Sequence, residues 1–259
     1  MPKATDFRIS SFAAVSIAPV SSSYPLQSPN SLNNYAGFSQ GWEAGGAKSV
    51  KTRNLVVRGN YSHHNKGPGL WTDGDNIYTL YENNRVIENE DVGIFHEISY
   101  AVVIRNNTVE RNGKKFDEWL YGAQILISTS QNAEVYQNTV EVDALAGNGI
   151  AIIQQDRGSG LYGPWMTIGN SIHHNVITYR GDHGQSGTAA DFNPDGMFNG
   201  NKLFDFNTYH PHTSITPAGR GEATRTGKPS RRKVRSVIAL RIQIYQERQT
   251  CPQSQGWGL

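Results

Sequence analysis

The run Leu55-Val56-Val57-Arg58-Gly59-Asn60 is a short β-type segment that ends in asparagine, and similar runs return along the middle of the chain. The others end at Asn84, Asn107, Asn138 and Asn170, so that successive asparagines are 24, 23, 31 and 32 residues apart. Strands this short cannot bury an apolar face alone and must stack on their neighbours. The pattern is therefore typical of a solenoid whose units carry loops of variable length.

A second short amide or carboxylate follows five residues after each of these asparagines, at Asn65, Asn89, Asn112, Asp143 and Asn175. Asparagine tolerates the left-handed conformation of a sharp corner, and its amide can bond to the equivalent asparagine one coil away. Leucine-rich repeats are excluded because no Leu-x-x-Leu-x-Leu pattern occurs, and propeller blades need a period of about 40 or more. We predict an all-β, single-stranded parallel β-solenoid with about six or seven coils.

Composition divides the chain into three parts. All 22 asparagines lie between Asn30 and Asn207. Residues 1–210 contain 15 Lys and Arg against 20 Asp and Glu, a charge of −5, whereas residues 211–259 contain nine against two, a charge of +7. We predict an irregular segment over 1–32, the solenoid domain over 33–210 and a basic tail over 211–259.

Both flanking segments differ from the repeat, and we expect them to be disordered. Residues 1–20 contain a diluted apolar stretch that would make a weak secretory signal. The tail lacks a nucleic-acid reader module, so no nucleic-acid partner is predicted, and its abrupt change of composition suggests a shifted reading frame or a gene-model error. The sequence contains no run of 18 apolar residues, so no membrane-spanning helix is predicted. Its single cysteine, Cys251, excludes a disulfide framework.

The segment 33–209 resembles the right-handed parallel β-helix proteins of the pectin-lyase-like superfamily, in the bacterial branch without a settled substrate. The resemblance rests on YAGFSQGWEAGG at 35–46, GPGLWTD at 67–73, GIFHEISY at 93–100 and the asparagine corners. It implies right-handed coils, an extracellular or cell-surface monomer and a polysaccharide partner. The superfamily contains lyases, hydrolases and epimerases, but also tailspikes and adhesins, so the fold leaves the function open.

Equivalent positions of successive coils stack, so counting from a shared residue identifies side chains that become neighbours. The fourth residue after Gly69 is Asp73, and the fourth after Gly93 is Glu97. We expect these two carboxylates to lie about 5 Å apart on adjacent coils. The same count reaches Leu126 and Ile153 in later coils, so the carboxylate pair is local.

The candidate catalytic residues are Glu43, which is two residues out of register in the preceding coil, together with Asp73, Glu97 and the adjoining His96. A glycoside hydrolase needs one carboxyl as acid and another as nucleophile or base. A lyase acting on a uronate needs a base, for which His96, Lys48 and Lys51 are candidates, and a cation beside the sugar carboxylate. Asp73 and Glu97 are the candidates for holding Ca²⁺, the one cofactor considered. The alternative is a solvated row of carboxylates with a structural role.

The candidate substrate-binding residues are Trp42, Trp71, Phe95, Tyr121, Lys48 and Lys51. If Leu70 and Ile94 point inward, Trp71 and Phe95 point outward, and their rings offer faces on which sugars stack. Trp119 belongs to the same aromatic group. The alternative is that these rings pack under the insertion 113–120.

Two other patterns are weaker signals. His63-His64-Asn65 and His173-His174-Asn175 occupy the same repeat position, but they are several coils apart and cannot share a metal ion. Asp182, Asp191 and Asp195 fit no defined Ca²⁺ loop, and a solvated loop is expected.

We therefore predict a protein that binds and degrades or modifies an extracellular polysaccharide, as a lyase or a glycoside hydrolase. One alternative is a non-catalytic β-helix that binds glycans or serves as a surface or adhesion module. Another is an inactive fragment, because the repeat is already under way at Tyr35.

Overall fold

The computed structural model describes residues 29–33, 45–115, 118–200 and 202–212. Short strands follow one another in groups of three, and each group forms one coil. Numbered β1 to β21 in chain order, they form three parallel sheets of six, six and seven strands and one small antiparallel hairpin. The predicted all-β parallel solenoid with six or seven coils is confirmed.

Each sheet takes one strand from every coil. Sheet 1 consists of β2 (Ala47–Val50), β5 (Leu70–Asp73), β8 (Ile94–Glu97), β11 (Ala123–Ser128), β14 (Asn148–Gln154) and β19 (Gly187–Ala190). Sheet 2 consists of β3 (Val56–Arg58), β6 (Thr79–Glu82), β9 (Tyr100–Arg105), β12 (Gln131–Tyr136), β17 (Ser171–His173) and β20 (Lys202–Asp205). Sheet 3 consists of β1 (Pro29–Ser31), β4 (Tyr61–His63), β7 (Arg85–Ile87), β10 (Thr108–Glu110), β13 (Thr139–Val142), β18 (Val176–Tyr179) and β21 (Thr208–His210).

The remaining elements lie in the connections between coils. The hairpin is formed by β15 (Ser159–Gly160) and β16 (Gly163–Pro164), a single 3₁₀ turn by η1 (Glu118–Leu120), and a short helix by α1 (Pro194–Asn199). Of the helices in the described ranges, none is long and apolar enough to cross a membrane.

Columns of aliphatic side chains fill the interior of the solenoid, with one residue from each coil. In sheet 3 the column Val86, Val109, Val140 and Ile177 is fully buried, and the strand register places each residue beside the next. Burial of such a side chain contributes about 1.5–3 kcal/mol. A coil is therefore stabilised mainly by its two neighbours, as expected for a solenoid.

An asparagine ladder runs along one corner of the solenoid, through Asn60, Asn84, Asn107, Asn138, Asn175 and Asn207. In each step the backbone N–H and the side-chain amide of one asparagine both donate to Oδ1 of the next, at 2.9–3.0 Å. The predicted ladder is confirmed as far as Asn138, but the next member is Asn175 and not Asn170. The spacing there is 37 residues because a long connection, 155–166, precedes this coil. Asn170 instead accepts a bond from the Ala133 backbone.

A second ladder runs through Asn33, Asn65, Asn89 and Asn112 and ends on Gln124. The prediction that Asp143 continues this series is wrong. Gln124 lies in β11, and its longer side chain accepts both Asn112 donors at 2.8 Å. Asp143 instead accepts a bond from the Leu145 backbone.

The left-handed backbone at these corners belongs to the residue before the ladder asparagine. Asn83, Asn106 and Gln137 have φ of 55°, 55° and 54°, and each precedes a ladder residue. The asparagine itself contributes its amide rather than an unusual φ. The sequence pattern is therefore explained by hydrogen bonding between coils more than by the conformational tolerance of asparagine.

The predictions about the two ends concern residues that are mostly outside the described ranges. These are the weak secretory signal, the disorder of 1–32 and the disorder or shifted frame of 211–259. Residues 29–31 are an exception, because they form β1 and pair with β4, so the disorder expected for them is wrong. The domain boundaries at 32/33 and 210/211 stay predictions.

Candidate functional site

The predicted carboxylate pair lies on the outer face of sheet 1. Strands β5 and β8 pair in register, with Leu70 opposite Ile94 and Asp73 opposite Glu97. Leu70 and Ile94 belong to the interior cluster, so Asp73 and Glu97, three residues further along each strand, point away from it. The sequence count therefore identified the correct neighbours between these two coils.

The register prediction fails in the next coil. Ser128 lies opposite Glu97, whereas Leu126 lies opposite Phe95. The glycine used for counting, Gly122, is two residues out of step because the insertion before it shifts the start of β11. Ile153 does occupy the same row, opposite Ser128. The outer row therefore continues from two carboxylates to a hydroxyl and then to an apolar side chain.

Each carboxylate of the pair is bound by a cation. Lys48 Nζ lies 2.7 Å from Asp73 Oδ2, and Arg157 Nη1 lies 2.8 Å from Glu97 Oε1. Burial raises the pKa of Glu97 to about 7, and the charge of Asp73 adds to this, while Arg157 and Lys48 act against it. Glu97 is only 8% exposed. Its carboxyl therefore changes its protonation state near neutral pH, which is the property of a general acid.

Arg157 reaches Glu97 from a connection 60 residues further along the chain. The hairpin that follows it is anchored on an earlier coil, because Asp75 Oδ1 accepts bonds from the Leu161 N–H at 3.0 Å and from Trp165 Nε1 at 3.3 Å. Tyr100 also donates to the Gly163 carbonyl at 2.7 Å. Sequence reasoning missed Arg157, and the only available signal was the unusual length of this connection.

His96 does not belong to the carboxylate cluster. It lies between Phe95 and Glu97, so its side chain points to the opposite face, into the solenoid. It is fully buried with Nδ1 2.7 Å from Thr72 Oγ1, and burial lowers its pKa to about 3. The expectation that His96 adjoins the pair as a base is therefore wrong, since alternation along a strand separates the two side chains.

Trp71 and Phe95 point outward as predicted, but their rings are not open to solvent. They stack at a centroid distance of 5.4 Å and are 7% and 5% exposed. The insertion packs against them through Trp119, Leu120 and Tyr121, and Lys48 Nζ lies 3.8 Å from the centroid of the Trp71 ring. The structure therefore contradicts an open stacking platform and matches the alternative, in which the insertion covers the rings.

The remaining predicted residues lie apart from this cluster or outside the described ranges. Glu43 and Trp42 are outside them. Lys51 follows β2 and is exposed, with φ of 54°. Within each histidine pair the two Nδ1 atoms are 2.9 Å apart. Over the ranges that the structure describes, no three His, Cys, Asp or Glu side chains gather as a metal site.

A family model for the right-handed β-helix region matches residues 20–140. This match and the three stacked parallel sheets show that the fold is a right-handed parallel β-helix. The resemblance to the pectin-lyase-like superfamily is consistent with this match and with the three stacked sheets. No curated protein and no solved structure matches the chain.

On this β-helix, a carboxyl with a pKa near neutrality lies beside a second carboxylate, and both are held by cations. Such a pair can donate a proton to a leaving oxygen and provide a base or nucleophile next to it. Lys48 and Arg157 balance the two negative charges, so the cluster is neutral when both carboxyls are ionised.

Proposed function

We propose that this β-helix protein cleaves an extracellular polysaccharide by glycoside hydrolysis, with Glu97 as the general acid and Asp73 as the nucleophile or base. The observation that carries the proposal is Glu97, a buried carboxyl with a pKa of about 7 beside Asp73 at the equivalent position of the adjacent coil. Secretion to the cell surface or beyond, and action as a monomer, belong to the same proposal.

The spacing of adjacent coils favours a retaining mechanism. Neighbouring strands are about 4.8 Å apart, which is close to the separation of about 5–5.5 Å between the two carboxyls of retaining hydrolases. Inverting enzymes hold their carboxyls farther apart to admit a water molecule. Asp73 would then attack the anomeric carbon while Glu97 protonates the leaving oxygen.

A Ca²⁺-assisted lyase has less support. His96 is buried inside the solenoid and cannot reach a substrate on the outer face. Lys48 is bound to Asp73, and a cation between the carboxylates would have to displace both Lys48 and Arg157. Lys51 is the remaining basic candidate among those predicted.

The second candidate function is glycan binding without chemistry. It is favoured by the ion pairs that hold both carboxylates and by the covered rings of Trp71 and Phe95. Such a surface recognises a partner through its edges and loops instead of its carboxyls.

The test uses the full chain on neutral polysaccharides (xylan, mannan, galactan) and acidic ones (polygalacturonate, alginate), with and without Ca²⁺. New reducing ends without an unsaturated, ultraviolet-absorbing product indicate hydrolysis, and that absorbance indicates a lyase. Binding without any product would support the second candidate function.

Glu97→Gln is expected to lower kcat by at least about 100-fold, because the amide cannot donate a carboxyl proton. The matched control is Glu82→Gln, which changes an ion-paired carboxylate of similar exposed fraction on sheet 2. We expect it to keep wild-type kcat. Wild-type turnover by Glu97→Gln, or an equal loss in both variants, would contradict the assignment.

A further inference from the structure

Within the part of the chain that the structure describes, two polar groups on the outer face of sheet 1 have no hydrogen-bond partner. The hydroxyl of Ser128 and the indole N–H of Trp71 are both buried without an acceptor or donor in reach. Buried polar groups are paired in the large majority of cases, so an unpaired one calls for a reason. Two of them near one candidate site point to a ligand that supplies the missing bonds.

Both groups adjoin the carboxylate pair. Ser128 is the in-register neighbour of Glu97 on the following coil. Trp71 lies two residues before Asp73 on the same strand, so both side chains share the outer face. The orphaned groups thus adjoin the carboxylate pair in different directions, Ser128 one coil beyond Glu97 and Trp71 two residues before Asp73.

The chemistry of the two groups restricts the ligand. An indole N–H only donates, whereas a serine hydroxyl both donates and accepts. A sugar hydroxyl can satisfy either of them. Neither group is charged, and Lys48 and Arg157 are already bound to Asp73 and Glu97. Lys48 and Arg157 are therefore already engaged and are not available to pair with the carboxylate of a uronate. This favours a neutral sugar.

We propose that Ser128 and Trp71 bind hydroxyls of two neutral sugar units next to the bond that is cleaved at Glu97. This inference rests on the proposed hydrolase and adds to it a substrate class and two binding residues. The site then extends over three coils, from Asp73 through Glu97 to Ser128.

Entry of the sugar requires that the cover over this face moves. Tyr121, beside the rings, donates to Gln155 Oε1 at 3.1 Å, which joins the insertion to the connection that carries Arg157. Because Ser128 is fully buried, a ligand reaches it only after the side chains that cover this face move. We expect the Tyr121–Gln155 contact to open while the Arg157–Glu97 ion pair is kept, and the sugar then bonds to the orphaned groups.

The test compares Ser128→Ala with Thr79→Val in the full chain. Thr79 is the matched control, since its hydroxyl is also buried and unpartnered but lies on sheet 2, away from the carboxylates. We expect Ser128→Ala to raise KM for xylan, mannan or galactan oligosaccharides about tenfold with kcat little changed. Trp71→Phe, which keeps an aromatic ring but loses the N–H, is expected to act in the same direction. Thr79→Val is expected to leave KM unchanged.

A readout without substrate tests the same inference. Removing a hydroxyl that truly lacks a partner leaves the melting temperature of Ser128→Ala unchanged or raises it. A lower melting temperature of Ser128→Ala than of the wild type would show that the Ser128 hydroxyl is already bonded in the free protein and would overturn the inference.

The kinetic outcomes separate the two proposals. Hydrolysis of a neutral glycan with the same KM in Ser128→Ala and wild type overturns the role of Ser128 and leaves the proposed function standing. Hydrolysis of polygalacturonate or alginate alone overturns the neutral substrate class. Absence of turnover and binding on every polysaccharide by the wild type rejects both proposals together.

Discussion

Glu97 and Glu82 expose nearly the same small fraction of their surface on two sheets of one solenoid, yet their pKa values shift in opposite directions. Glu97 is 8% exposed and Glu82 is 9% exposed. Burial raises the pKa of Glu97, and its in-register neighbour Asp73 raises it further. Burial acts the same way on Glu82, but hydrogen bonds from Arg58 and Arg105 outweigh it and lower the pKa.

The difference lies in which side chain the neighbouring coil places opposite each glutamate. Arg58 and Arg105 are the register partners of Glu82, and both bond to it at 2.7 Å. Glu97 has a carboxylate on one side and a serine on the other, and its cation comes from a distant connection. In a solenoid, therefore, the charge order along a row acts together with burial on the pKa of a carboxyl, lowering it beside arginines and raising it beside another carboxylate.

The largest expected effect is on the pH dependence of stability. The pKa of Glu97 in the folded protein, about 7, lies above the ordinary value for glutamate. The contribution of Glu97 to the free energy of unfolding is therefore fully present at low pH and is lost as pH rises toward 7. Relative to Glu97→Gln, the wild type should lose up to about 3 kcal/mol between pH 4 and pH 8. Urea unfolding of both proteins across this range measures the change.

Glu82→Gln sharpens the same comparison. The folded pKa of Glu82 is lowered, so its stabilisation is present above the ordinary glutamate pKa and is lost as pH falls through the folded value. On acidification, therefore, the free energy of unfolding of the wild type should fall relative to that of Glu82→Gln. This is the opposite of the trend expected for Glu97. If the stability difference from wild type changes with pH in the same direction for Glu97→Gln and Glu82→Gln, the contrast between the two glutamates is wrong.

A smaller effect is expected from changing the register neighbour. Asp73→Asn removes the adjacent charge and releases Lys48, so the pKa of Glu97 should fall. Arg105→Gln should raise the pKa of Glu82. Carbon-13 NMR titration of labelled glutamate carboxyls follows both. A Glu97 titration that does not respond to Asp73→Asn would show that burial alone sets it.

The smallest effect should come from releasing the anchored connection. Asp75 has φ of 58°, which glycine accepts without strain, so Asp75→Gly removes only the acceptor for Leu161 and Trp165. Arg157 then loses its support, and the pKa of Glu97 should rise slightly. Asp75→Asn keeps the Oδ1 acceptor and is the control. If hydrogen exchange at the Leu161 amide is equal in all three proteins, the anchoring role is wrong.

The sequence predicted the Asp73–Glu97 pair because the two coils are related by an uninterrupted repeat of 24 residues. It failed to predict Ser128 because the insertion before β11 altered the count by two residues. The placement of His96 could have been predicted correctly, since a residue next to Glu97 on a strand must face the other way. Arg157 could not, because nothing periodic relates it to Glu97.

The sequence by itself determined the parallel solenoid, its number of coils, most of the asparagine ladders and the juxtaposition of the two carboxylates. All of these follow from contacts between one coil and the next, which a repeat in the sequence records directly. The tertiary structure alone decided the cation partners, the covered aromatic rings and the unpaired groups beside Glu97. These depend on the path of long connections across several coils, and that path is set by specific anchors such as Asp75 rather than by the period.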